Sequence, residues 1–367
     1  MDKIILPEKI QGFFIEITKR CNARCIYCYN DSDDKRFVQI DMNVFKCLVD
    51  SITQINTGMQ ITLSGGEPLL HPDLIHMIHY TYQCGHSVLL ISNGRLITRE
   101  FINQLYPYQP RIQLTLDSHI PALNDKYRSS FSHMYVEAAL KTLAAFYDMQ
   151  LVTVRCNLNY ENIDLQHGID YIHYLEAAGV RQIMFSLTQT KGRALHYHFP
   201  NILQDREALV HFVQSIPYCN QMQIDTNFLN VCQICPYVSM EKYKGTLTLY
   251  IDSEGNLYPC QALLSVPFKM GNIYRSSLQE ILQDQKMNSF LLAAKRRLTE
   301  IQQCKTCDVE MFCGRGCIFD CMMNEGFYGT DGNCTQRKAI IKKSILDNYL
   351  KRANKSEEIA TYEISNH

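Results

Sequence analysis

Cys21, Cys25 and Cys28 lie on one short stretch, separated by three and then two residues. A [4Fe–4S] cube has four irons, and an ordinary site supplies four thiolates. Three thiolates on one loop leave one iron without a protein ligand, and that iron can chelate the amino and carboxylate groups of a small molecule. Zinc usually takes four ligands as two pairs split by a longer stretch, so it is the weaker alternative here. A second group runs Cys304-x2-Cys307-x5-Cys313-x3-Cys317 and then Cys334, with Cys232-x2-Cys235 and Gly255-x4-Cys260 upstream of it. A zinc ribbon is the competing reading for residues 304–334, because CxxC pairs also suit zinc. Of 16 cysteines, three lie at the N-terminal loop and ten between Cys219 and Cys334. Only Cys47, Cys84 and Cys156 are scattered, and these read as inert packing residues. A cytoplasmic chain keeps its thiols reduced, so such clustering points to metal or redox chemistry rather than to disulfides.

The elements that must hold these residues alternate between strand and helix up to about residue 190. Strands are predicted at Gly12–Thr18, Gln60–Ser64, Ser87–Ser92, Arg111–Asp117, Leu151–Asn157 and Arg181–Leu187, several of them almost continuous aliphatic runs, as expected of parallel strands covered on both faces. Helices are predicted at Asn43–Ile55, Pro72–Cys84, Tyr135–Tyr147 and Asp164–Ala178. Six such units predict an α/β fold with a parallel sheet, either doubly wound or a barrel, and in both the chemistry belongs at the C-terminal strand ends. Beyond residue 200 the pattern changes to helices, Asp205–Ser215 and Ser277–Leu298, and a hairpin at Thr246–Leu257. The expected division is 1–205, 206–345 and a polar tail at 346–367.

With 36 Lys plus Arg against 37 Asp plus Glu, no charge imbalance argues for nucleic acid or an anionic membrane as partner. There is no Trp to supply a base-stacking platform. No apolar run reaches the roughly 18 residues of a membrane span, and Met1 to Glu8 lack the apolar core of a secretory signal, so a cytoplasmic protein is expected.

Cys21-x3-Cys25-x2-Cys28, with Tyr27 before the last cysteine and a first strand directly upstream, resembles the signature of the radical S-adenosylmethionine (SAM) superfamily. Ser64-Gly65-Gly66-Glu67-Pro68, after the second strand, is similar to that family's GGEP motif, whose backbone meets the SAM amino group. Glycines there would let backbone approach a ligand. The resemblance covers residues 10–195 and favours a partial (β/α)6 TIM-type barrel over a doubly wound sheet. It also implies cofactor contacts from Tyr27, Gly65, Gly66, Glu67 and Pro68, from Ser92 and Asn93, from Thr115 and Arg128, and from Arg155, Asn157 and Leu187. Asp117 is a candidate for orienting SAM or substrate. The implied chemistry is reductive cleavage of SAM to a 5′-deoxyadenosyl radical that takes hydrogen from a substrate, so no acid–base triad is sought.

The downstream cysteines resemble the SPASM domain of such enzymes, which carries two auxiliary [4Fe–4S] clusters. That resemblance implies Cys304, Cys307, Cys313 and Cys334 for one cluster, and Cys260, Cys317, Cys232 and Cys235 for the other, with Cys219 and Cys321 spare. The cofactors implied are therefore three [4Fe–4S] clusters and SAM. Most enzymes of this type modify ribosomally made peptides or proteins, by crosslinking, epimerisation or oxidation, which makes a peptide maturase the leading expectation. An external donor such as flavodoxin or ferredoxin would supply electrons. The runner-up is a formylglycine-forming sulfatase maturase, although Gln261 follows Cys260 where those enzymes carry an Asp base; a tetrapyrrole or a sugar is the other substrate class. With the barrel beginning near the first residue, recognition of a leader peptide is expected to fall to the barrel mouth, the C-terminal domain or a separate partner. An electron-shuttling protein without catalysis is the reading from another class, and it would not need the GGEP segment or an open iron.

Overall fold

The structure is a computed structural model and describes residues 7–188, 191–197, 222–228, 235–239, 246–332, 334, 335, 337–339, 341, 342 and 345. The chain divides into two compact units, one of residues 1–229 with 246–290, the other of residues 230–245 with 291–367.

The first unit is built on one ten-stranded sheet. In chain order its strands are β1 (Ile10–Thr18), β2 (Gln60–Gly65), β3 (Ser87–Ser92), β4 (Arg111–Thr115), β5 (Val152–Leu158), β6 (Gln182–Leu187), β7 (Gln223–Phe228), β8 (Leu247–Ile251), β9 (Asn256–Tyr258) and β10 (Gly271–Asn272). They lie in the order β10-β9-β8-β1-β2-β3-β4-β5-β6-β7. Neighbours from β8 through β1 to β7 are parallel, while β9 pairs antiparallel with β8 and β10. Among the described strands β7 and β10 pair on one side only, so the sheet is open. Connecting helices are α1 (Met42–Ile55), α2 (Leu74–Gln83), α3 (Arg99–Leu105), α4 (Pro121–Arg128), α5 (Ser132–Phe146) and α6 (Leu165–Ala177). This is the parallel α/β architecture that the strand pattern predicts.

Period-two alternation sorts the strand residues onto two faces. Phe13, Ile15 and Ile17 of β1, Ile112 and Leu114 of β4, and Val152 and Val154 of β5 are fully buried in the aliphatic core, as are Phe45, Leu48, Val49 and Ile52 of α1. Each such side chain contributes about 1.5–3 kcal/mol. The opposite face carries Glu16 and Thr18, Gln113 and Thr115, Arg155 and Asn157, and Ser186, and register sets Thr115 against Arg155 and Asn157 against Ser186. That polar face, not the aliphatic one, is available for chemistry.

Several elements depart from expectation. Strand β4 ends at Thr115, not Asp117. Helices α3 and α4 are additional. The expected hairpin exists, but its first strand, β8, pairs in parallel with β1 and extends the sheet instead of belonging to a separate cysteine-rich region. The sheet thus takes in β7 to β10, all past residue 205. The expected helix Ser277–Leu298 is two helices, Leu278–Gln283 and Gln285–Glu300. Asp284 breaks it with an extended backbone, and its carboxylate accepts from Lys286 N–H at 2.7 Å. Residues 205–215 and 346–367 lie outside the described residues. No described helix is long and apolar enough to cross a membrane.

Candidate active site and iron–sulfur sites

The loop that leaves β1 carries Cys21, Cys25 and Cys28, and four other segments brace it. Gly66 N–H donates to Thr18 O at 2.7 Å and Glu67 N–H to Arg20 O at 2.8 Å. Asn93, at the end of β3, donates from Nδ2 to Asn22 Oδ1 at 2.8 Å, and Arg95 donates from Nη1 to Asn22 O at 2.8 Å. Ile26 N–H donates to Tyr127 O at 2.9 Å. The segment after β6 closes the other side: Arg193 N–H donates to Cys28 O at 2.9 Å, and its guanidinium Nη1 to Cys25 O at 2.7 Å. Gly192 is indispensable there, since a Cβ would lie 2.3 Å from Tyr29 O and 2.5 Å from Cys28 O. Gly192, Arg193 and Arg95 were not singled out from the sequence. A Lys-Gly-Arg shortly after a strand end was the available signal.

The GGEP segment also packs against the cysteine loop. A Cβ on Gly65 would meet Thr18 O at 2.2 Å, and one on Gly66 would meet Arg20 O at 2.3 Å. These glycines make room for the cysteine loop's own backbone. With the Gly66 and Glu67 N–H groups bonded to that loop, carbonyl oxygens are what the segment can offer a ligand, which suits an ammonium. Glu67 is fully buried, and its carboxylate accepts from Ser92 Oγ at 2.8 Å, Asn93 N–H at 2.7 Å and Leu69 N–H at 3.2 Å. It clamps the ends of β2 and β3 together. Burial raises its pKa to about 7 against those hydrogen bonds. Pro68 is buried at the start of the short turn that follows.

Asp117, Arg128 and Asn157 converge on Tyr27. Its hydroxyl donates to Asp117 Oδ2 and receives Arg128 Nη1 at 3.0 Å and Asn157 Nδ2 at 3.4 Å. Asp117 Oδ1 also accepts Asn157 N–H at 2.9 Å. Burial and then the Asp117 carboxylate, against Arg128, hold the Tyr27 phenol protonated well above its ordinary range. Burial opposes the charge on Arg128, but Tyr27, Cys25 and Asp117 outweigh it and keep the guanidinium ionised. Arg155 donates from Nε to Ser186 Oγ at 2.8 Å on the polar face, beside Asn157. Thr115 is buried at the end of β4 and Leu187 half-buried at the end of β6. Arg128, at the end of α4, is thus brought to the Tyr27 hydroxyl.

The thiols suit iron. Cys21 is buried, and burial followed by the Glu67 carboxylate pushes it up to about 12, so this thiol needs a metal to ionise it. Among the described residues no three His, Cys, Asp or Glu side chains converge as a single-ion site. The ligands of a cube attach at separate corners and need not converge on one point. In the second unit Cys304, Cys307, Cys313 and Cys334 line one cavity of about 180 Å³, the four residues expected to share a cluster. Cys321, expected to be spare, is fully buried and receives Arg297 Nη2 at 3.1 Å. Cys317 caps the helix Ile318–Asn324, Cys260 precedes Gln261 in the first unit, and Cys235 is half-buried in the second. Cys232 and Cys219 lie outside the described residues. Cys156 packs beneath Asp117, donating to its carbonyl at 3.5 Å, but Cys47 is exposed on α1 and is no core residue.

The model of the radical SAM superfamily matches residues 15–165, and the model of the SPASM iron–sulfur cluster-binding domain matches residues 243–308. The antilisterial bacteriocin subtilosin biosynthesis protein AlbA of Bacillus subtilis is 24% identical over 331 residues, 88% of this chain and 70% of that protein. The AdoMet-dependent heme synthase of Methanosarcina barkeri is 24% identical over 328 residues, 82% of this chain and 89% of that protein. The crystallised anSMEcpe with bound AdoMet and Cp18Cys peptide superposes with a TM-score of 0.69 at 16% identity, covering 94% of this chain and 98% of that one.

Proposed function

The chain belongs to the radical SAM superfamily and carries a SPASM domain, and on that premise we propose that it is a maturase acting on a ribosomally made peptide or protein. When bound, the reduced N-terminal cluster supplies the electron that splits the sulfonium of SAM and yields the radical that takes hydrogen from the substrate. Cys21, Cys25 and Cys28 hold three irons of that cluster, with their loop fixed by Gly66, Glu67, Asn93, Arg95 and Arg193. Carbonyls of the Gly65–Glu67 segment receive the SAM ammonium. Tyr27, Asp117, Asn157 and Arg128 form a closed hydrogen-bonded group that orients the nucleoside end and keeps water from the reacting carbon. Cys304, Cys307, Cys313 and Cys334 ligate one auxiliary cluster; Cys260, Cys317, Cys232 and Cys235 ligate the other. Electrons arrive from a low-potential carrier such as flavodoxin or ferredoxin.

The carrying observation for a peptide substrate is the likeness, along 88% of the chain, to a protein of bacteriocin biosynthesis. Gln261 in place of an Asp base counts against formylglycine formation. The likeness to a heme synthase makes a tetrapyrrole the second reading. The test is anaerobic incubation of the reconstituted chain with SAM, dithionite and cysteine-bearing candidate peptides in deuterated water, read by mass spectrometry. Loss of two hydrogens signals crosslinking or oxidation, and gain of one deuterium signals epimerisation. Unchanged peptides alongside turnover of an iron–porphyrin refute the proposal.

A further inference from the structure

The four-thiol cavity of the second unit has an arginine in its wall whose arrangement exceeds what packing requires. Arg315 adopts φ of 58°, in the left-handed region that L side chains rarely enter, between Gly314 and Gly316. It is 4% exposed. Its Nη2 donates to Leu298 O at 2.6 Å and to the Glu310 carboxylate, and its Nε–H is buried with no partner in the protein. The same side chain lines the cavity with Cys304, Cys307, Cys313 and Cys334. A second guanidinium, Arg337, lines it as well and is paired with Asp331. Strained backbone and an unmatched buried N–H on one residue call for an acceptor at the cavity.

We propose that Arg315 sets the reduction potential of the auxiliary cluster ligated by these four cysteines, by donating its Nε–H to a sulfur of that cluster and placing positive charge beside it. Four thiolates give the oxidised cube a net charge of two minus; one electron from a low-potential donor makes it three minus, and no proton or ligand moves. A guanidinium favours the more negative form, because charge-assisted hydrogen bonds strengthen with charge on the acceptor. Hydrogen bonds to cluster sulfurs and local charge are established levers on such potentials. Glu310 opposes this effect from the same wall, so the pair Arg315–Glu310 is the adjustable element. The assignment concerns the cluster alone and holds whatever the substrate is.

The experiment is a mediator-based redox titration of the reconstituted full-length protein, followed by electron paramagnetic resonance, with iron quantified in each sample. Arg315→Gly relieves the left-handed backbone while removing the donor, and should make one auxiliary couple about tenfold harder to reduce, a shift of about 59 mV for one electron. Arg315→Lys keeps the charge without the Nε–H and should shift the same couple in the same direction by less. Glu310→Gln, which leaves the arginine in place, should move it the opposite way. Loss of cluster iron in Arg315→Gly leaves the other two variants to decide. A couple that stays put in Arg315→Lys and Glu310→Gln, or that moves in the same direction in both, overturns the assignment. Peptide turnover plays no part in the readout, so failure here is distinct from failure of the maturase reading.

Discussion

Gly66→Ala separates two explanations for the glycine pair. The added Cβ would lie 2.3 Å from Arg20 O, 2.6 Å from Arg20 C and 2.9 Å from Lys19 O, all backbone atoms. Restoring ordinary contact requires the start of the cysteine loop to retreat by about 1 Å. That movement breaks or stretches the bonds from Gly66 N–H to Thr18 O and from Glu67 N–H to Arg20 O, worth about 1 kcal/mol each. Overpacking adds about 1–3 kcal/mol, so the local penalty is roughly 4 kcal/mol, and it falls on the residue next to Cys21. The expected result is a protein that retains its auxiliary iron but loses the four irons of the N-terminal site, measured by iron and sulfide analysis after anaerobic reconstitution. Gly179→Ala is the control: its φ is 82° and its Cβ would meet nothing within 4 Å, so it introduces backbone strain without collision. If Gly66→Ala keeps full iron and loses only SAM binding, the glycines serve the ligand and not the loop, and this reasoning fails.

Glu67 should make stability fall with rising pH, because its folded pKa of about 7 lies above the ordinary 4.5. Its contribution is fully present below about pH 4.5 and is lost as pH rises through 7, roughly 3 kcal/mol at about 1.4 kcal/mol per pH unit. Melting temperatures of the anaerobic holoprotein at pH 5 and pH 8 should therefore differ less in Glu67→Gln than in the parent. Tyr27→Phe removes the hydroxyl shared by Asp117, Arg128 and Asn157 and should slow dithionite-driven SAM cleavage about tenfold with iron content unchanged; a parent-like rate would remove Tyr27 from the site. Cys304→Ala should lower iron from about twelve to about eight per chain while SAM cleavage to 5′-deoxyadenosine persists, and twelve irons in the variant would exclude Cys304 as a ligand.

Ligand spacing was legible in the sequence because it is local. Three thiols within eight residues, or Cys304, Cys307 and Cys313 within ten, are close enough for one cluster, and the chain order records that constraint. The parallel strands were legible for a similar reason, since burial of a strand writes itself into short aliphatic runs such as Ser87–Ser92. The braces were not. Arg193 reaches Cys25 O across 168 residues and Arg95 reaches Asn22 O across 73, and local sequence names the partner of neither. The strand β8 was misassigned because its partner β1 lies more than 230 residues upstream; pattern alone showed the hairpin but not the sheet it joins.

The same contrast explains why Glu67, Ser92 and Asn93, expected near the cofactor, bond to one another. A polar residue at a strand end is visible in the sequence, but whether its atoms face a cofactor or another polar residue depends on the neighbouring strands. Glu67, Ser92 and the Asn93 N–H satisfy one another, whereas Arg128 and Asn157 gather on the Tyr27 hydroxyl one residue from Cys28. A site that must hold an open iron against bulk water needs both classes. The first fixes strand ends so that a three-cysteine loop has one conformation, and the second is left to orient what binds there. Rigidity of the loop is therefore the condition on which the proposed open iron corner depends, and much of it is supplied by Asn93, Arg95 and Arg193, which bond directly to the loop.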